Sequence, residues 1–111
     1  MRITVVSERI SDTYDGDAVN AEWAAKYLAG ADDSLFVPGV ASWDNVVTSE
    51  DDEGRIVITA DLTTLTEVAD NDPSGNAGQL VSEDWVRDYI LGADVYWFAP
   101  ETLKATEITF A

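Results

Sequence analysis

The chain has 111 residues, of which 22 are Asp or Glu and six are Lys or Arg, for a formal net charge of −16. It contains neither cysteine nor histidine, which excludes disulfides, thiolate chemistry, cysteine-ligated zinc and the commonest general base. An apolar content of 46% with four Trp, four Tyr and three Phe separates it from a disordered acidic tail, and its length fits one domain spanning 1–111.

In chain order, residues 2–6 (RITVV) form a β-branched run that reads as a first strand, with room to continue toward Ile10. Residues 11–19 (SDTYDGDAV) are an Asp-rich loop broken by Gly16. Asn20 is placed to cap a helix running into Gly30, and Glu22 lies in its first turn, where the helix dipole favours an acid. Trp23 and Tyr27, four apart, mark the buried face with Ala24 and Leu28, and Gly30 is the expected left-handed residue at the end. Leu35-Phe36-Val37 reads as a short strand that stops at Pro38. A further strand from Trp43 to Thr48 is expected to pair as an antiparallel hairpin with 55–59, through the loop 49–54. Alternation continues from Ile56 through Thr64; over 62–69 both a strand and a short helix fit, since Leu62, Leu65 and Val68 recur every three residues. Residues 70–80 (DNDPSGNAGQL) are the longest loop-like stretch. Ser82 caps a second helix that Glu83 and Asp84 open and Gly92 closes, with Trp85, Val86, Tyr89 and Ile90 on its apolar face. Val95 to Ala99 reads as a strand ending at Pro100, and Thr106 to Ala111 as a closing strand.

The two helical stretches resemble each other. Residues 19–36 and 81–98 superpose without a gap, with identities at Val19/Val81, Trp23/Trp85, Tyr27/Tyr89, Gly30/Gly92, Ala31/Ala93, Asp32/Asp94 and Phe36/Phe98. Arg2 to Val5 answers Arg55 to Ile58 at a different offset. The expected fold is therefore α+β, with two pseudo-symmetric β-loop-α-β repeats, roughly 2–48 and 55–111. An antiparallel-rich sheet would carry two equivalent short helices on one face, because neither helix can bury its Trp–Tyr stripe alone.

No catalytic constellation emerges, and no cofactor is implied. Residues 70–75 (DNDPSG) match the opening of a calcium loop, but position twelve is Val81 where a bidentate Glu is required, so no metal site is assigned. Gly75 to Gly78 has the GxxG spacing of an RNA-clamping loop, yet Asp70 and Asp72 stand where basic residues are needed. No P-loop or dinucleotide fingerprint occurs. The remaining signal is charge: Asp12, Asp15 and Asp17, then Glu50, Asp51, Asp52 and Glu53, then Asp70 and Asp72 gather in three loops. Such a surface repels nucleic acid and anionic membranes and attracts basic partners.

The favoured reading is that these nine acids substitute for the phosphates of a nucleic acid, so that the partner is a basic nucleic-acid-binding protein or complex. The alternative is an acidic interaction or assembly module, salt-adapted or not, in which self-association is possible. Neither reading requires an enzyme. In size and charge alone, the chain resembles the small acidic phage proteins that block host restriction or CRISPR surveillance complexes; that resemblance implies an inhibitor working in the host cytoplasm. No run approaches the ~20 apolar residues of a membrane span, and Met1 leads straight into RITVV with no secretory leader, so a cytoplasmic location is expected.

Overall fold

The computed structural model describes residues 1–30, 37–72, 75–93 and 97–111. Four strands, β1 (Arg2–Arg9), β4 (Val40–Glu50), β5 (Ile56–Thr64) and β6 (Leu103–Phe110), form one antiparallel sheet in the order β4-β5-β1-β6. A two-stranded ribbon, β2 (Thr13–Tyr14) with β3 (Asp17–Ala18), follows β1. Two helices, α1 (Ala21–Gly30) and α2 (Glu83–Leu91), and a single helical turn, α3 (Ala99–Thr102), complete the chain. The protein is thus α+β, with no helix among the described residues long and apolar enough to cross a membrane.

Period-two alternation decides which face of the sheet is covered. Ile3, Val5 and Ser7 of β1 and Ile56, Ile58, Ala60 and Leu62 of β5 are buried, while the residues between them are half-buried. The register pairs Val5 with Ile58 and with Ile108, so the apolar positions of three strands fall in one row. Onto that row pack Trp23, Ala24 and Leu28 of α1 and Val86 and Ile90 of α2, in one continuous core. Burying a side chain the size of Ile or Leu is worth about 1.5–3 kcal/mol, and burial of this kind has to outweigh the mutual repulsion of the acids. Aromatic rings bridge the layers: Phe98 lies 5.7 Å from Trp23 and 5.3 Å from Tyr27, and Trp97 stacks on Trp43 at 5.9 Å. The indole of Trp97 donates to Ser7 Oγ at 2.8 Å, giving a fully buried hydroxyl its partner.

The helix starts are built as their sequences imply. Asn20 Oδ1 accepts from the Trp23 amide at 2.8 Å, and Ser82 Oγ accepts from the Trp85 amide at 3.1 Å. The helix ends differ from expectation. Gly92 has φ −77°, a right-handed value, and its amide bonds Asp88 O. What requires glycine there is proximity, since a Cβ would stand 2.7 Å from that same carbonyl. Gly30 is also not left-handed, and belongs to α1 itself.

Elsewhere the structure decides between sequence expectations or departs from them. Of the two readings over 62–69, the strand holds through Thr64 and the helix does not form: β5 ends at Thr64, and the chain doubles back as an arm in which Glu67 bridges Leu80 and Val81 N–H bonds Thr66 O. The strand expected at Val95 to Ala99 is absent where it is described, for Phe98 makes an isolated bridge to Leu103 and Pro100 sits in the first turn of α3. Proline is tolerated there because its missing N–H would have no helical acceptor. Of the strand expected at 35–37, Leu35 and Phe36 lie outside the described residues, and Val37 belongs to no strand. The helices that carry the sequence repeat are both present, but their tryptophans are housed differently. Trp23 is buried, whereas Trp85 is half-buried, stacked on Tyr89 and bonded through its indole N–H to Gln79. The repeat is a property of the sequence; the fold does not establish the halves as equivalent.

Candidate acidic surface and cleft

The path of the backbone sorts the nine predicted acids into two regions. β1 ends at Arg9, where β5 begins, because Ser7 pairs with Ile56. The 11–18 ribbon and the 51–55 turn therefore project from the same end of the sheet. Arg9 ties them together: its guanidinium reaches Val19 O at 3.3 Å and Glu50 at 3.9 Å. Between them lies a polar hollow of about 370 Å³ that Asp12 and Glu53 share with Arg9 and Arg55. Asp70 and Asp72 instead sit on the arm that leaves the opposite end, anchored where Leu65 N–H bonds Gly39 O. Asp72 is near enough to Tyr89 for its charge, after burial, to raise the phenol above its ordinary value.

The four acids of the 50–53 turn are not alike. Asp51 is the internal strut: its carboxylate accepts from the amides of Glu53 at 3.0 Å and Arg55 at 2.8 Å, and from Arg55 Nε at 2.7 Å. Partial burial opposes its ionisation, but the Arg55 and Glu53 hydrogen bonds outweigh it and hold the carboxyl below the ordinary value. Asp52 and Glu53 are exposed, with the Glu53 side chain 3.8 Å from Arg55. Glu50 faces Arg9 as described. Outward negative charge at this turn thus falls mainly to Asp52 and Glu53.

Asp15 and Asp17 belong to a two-stranded ribbon within the stretch that the sequence marks as an Asp-rich loop. Tyr14-Asp15-Gly16-Asp17 closes the ribbon, with positive φ at both Asp15 (50°) and Gly16 (85°). That is the mirror-image turn suited to strand twist, and Asp-Gly is among its preferred sequences. The turn lifts Tyr14 over α1, where its ring lies 5.6 Å from Trp23 and 5.7 Å from Tyr27, edge-on to the latter. Burial, and then a hydrogen bond with Tyr14, raise the Tyr27 phenol above its ordinary value. Between ribbon and helix opens a cleft of about 430 Å³ with these rings as its wall and Asp15, Asp17 and Glu22 among its lining residues.

No family model, characterised protein or solved structure matches this chain. Its function must be read from its own surface. All six basic side chains are engaged within the molecule: Arg2 with Asp61, Arg9 with Glu50, Lys26 with Glu22, Arg55 with Asp51, Arg87 with Asp84, and Lys104 with the Ala93 carbonyl. Each cation thus has an acceptor beside it, and the surface field is set by the carboxylates in excess. Pro73 and Ser74 of the calcium-like stretch lie outside the described residues. Among the described residues, no three acids converge in a metal-binding arrangement. The cleft residues Tyr14, Glu22, Trp23, Lys26 and Tyr27 were missed as site candidates, although the Asp-Gly pair after Tyr14 was a legible signal for the ribbon that builds it.

Proposed function

We propose that this protein is a phage-encoded, non-catalytic inhibitor that mimics nucleic acid and occupies the basic DNA- or RNA-binding channel of a host defence complex, of the anti-restriction or anti-CRISPR type. The observation that carries the reading is charge per length. The molecule measures 37 × 29 × 24 Å and bears a net −16. A duplex of the same 37 Å length carries roughly 22 phosphates at about one per 1.7 Å, so the protein offers about three-quarters of that density. Asp12, Asp15, Asp17, Asp52 and Glu53 at one end, with Asp70 and Asp72 on the arm at the other, supply two separated negative surfaces. We further read the two ends as related by the pseudo-twofold that the sequence repeat suggests, so that a basic channel could meet both.

The test is capture from bacterial lysate on the intact chain, with and without excess duplex DNA or single-stranded RNA. Mimicry requires that a nucleic-acid-handling complex be captured and that the competitor release it. It also requires that Asp52→Lys/Glu53→Lys weaken capture and flatten its dependence on salt. Capture that neither competitor nor charge reversal touches would overturn the reading.

A second reading, an assembly module, has one observation in its favour. Among the described residues nothing covers the outer face of the sheet, where Thr4, Val6, Val57 and Thr59 are half-buried and Val47 is 58% exposed. Sedimentation at increasing concentration decides it, since a module of this kind gains mass as it is concentrated and a pure inhibitor does not.

A further inference from the structure

We infer that the cleft between the 13–18 ribbon and α1 is a binding site for a guanidinium group, presented as the arginine side chain of a basic protein. Three features of one cavity converge on this ligand. The first is shape: an open cleft of about 430 Å³ lies between two elements, within the size range of small-ligand sites. The second is its apolar wall, made of the Tyr14, Trp23 and Tyr27 rings, whose centroids lie 5.3–5.7 Å from one another. Aromatic faces of this kind attract cations, and a planar guanidinium stacks on them where a compact ammonium does not. The third is charge: Asp15 and Asp17 of the ribbon and Glu22 of the helix all line the same cleft.

Lys26, the one cation among the described lining residues, is drawn onto Glu22 at 3.1 Å, four residues back along α1. Asp15 and Asp17 are exposed and placed on either side of Gly16. A guanidinium donates along a fixed fork and suits a carboxylate two bonds at a time, so lining carboxylates and aromatic wall can be satisfied by the same group. A phosphate or carboxylate ligand would be repelled by those carboxylates, and a neutral apolar ligand would leave them desolvated without partners. This inference rests on the mimicry reading only for the carrier of the arginine; recognition of the group itself stands on the cleft.

The experiment is a two-dimensional amide NMR titration of the intact protein with acetyl-Gly-Arg-Gly-amide and its Lys counterpart, alongside free agmatine. The Arg peptide and agmatine should shift the indole N–H of Trp23 and the amides of 13–18 together, and the Lys peptide should bind at least several-fold more weakly. Asp15→Asn/Asp17→Asn should weaken the Arg peptide at least fivefold; asparagine is among the residues that accept the positive φ of position 15, so the turn is kept. Glu67→Gln/Asp88→Asn removes the same charge from exposed positions elsewhere and should change binding less than twofold. Equal weakening by both double variants, or shifts spread evenly over the acidic loops, would show attraction by the overall field and overturn the site. Response to the peptide but not to agmatine would refute recognition of the guanidinium itself. Loss of guanidinium binding with lysate capture intact removes this site alone, whereas failed capture with binding intact removes mimicry alone.

Discussion

Removing the Ser7 hydroxyl tests whether the core is held by a polar contact as well as by packing. Ser7 is fully buried in the middle of β1, and its Oγ is the acceptor for Trp97 Nε1 at 2.8 Å. Ser7→Ala deletes that acceptor while changing volume by one oxygen, so the indole N–H is left in an apolar site. Stranding a buried donor costs about 1–3 kcal/mol. For 111 residues, at roughly 2.1 cal/mol/K per residue, the unfolding entropy is about 0.23 kcal/mol/K, so the expected fall in Tm is about 4–13 °C. The assay is thermal and urea unfolding followed by far-UV circular dichroism. A double-mutant cycle isolates the bond: in a Trp97→Phe background, where no indole donor exists, Ser7→Ala should cost less than half as much. A Tm within about 2 °C of the parent for Ser7→Ala, or the same loss in both backgrounds, would refute the bond as a contributor to stability.

Three further outcomes are expected. Gly39→Ala places a Cβ 2.5 Å from Val81 Cγ2 at a residue with φ +87°, and should cost about 2 kcal/mol or more; adding Val81→Ala should restore only the steric part, as read by urea midpoints. Because unpaired carboxylates repel one another across the surface, raising ionic strength from about 0.01 to 0.5 M should increase Tm, and an unchanged Tm would show that the field does not strain the fold. The Asp51 carboxyl is held below its ordinary 3.8, so its contribution is complete above that pH and is lost as pH falls through the lower native value. Asp51→Asn should therefore flatten the acid side of the pH–stability curve, and an acid limb identical to the parent's would contradict the strut.

What was legible in the sequence was what is decided locally. Asn20 and Ser82 cap because their side chains need only the next turn, and Ile56 to Leu62 alternate because one face of their strand is dry. The Trp97–Thr102 stretch misled because proline after an apolar run ends strands and opens helical turns equally well, and only the bridge from Phe98 to Leu103 distinguishes them. Gly92 misled for a related reason: a glycine at a helix end implies a left-handed residue, but close approach to Asp88 O demands glycine as strictly. The strands of the ribbon are too short to alternate, which leaves the Asp15-Gly16 pair as the sign of it in the sequence. For the acids, the sequence shows three clusters but not their grouping. That the 12–17 and 50–53 acids share one end, while 70 and 72 leave from the other, follows from β1 and β5 running antiparallel side by side. Nor does a cluster of four acids reveal that Asp51 turns inward.

The scarcity of amines has a practical side. The chain has two lysines: Lys104 is half-buried with its ammonium on the Ala93 carbonyl, and the N-terminal ammonium rests on Leu62 O. The Lys26 side chain, 77% exposed, is the most accessible amine, and it lines the aromatic cleft. Among the lysines, amine-directed dyes, cross-linkers and sensor surfaces will consequently attach first at that cleft, reporting on it when the tag is small and blocking it when the tag is a solid support.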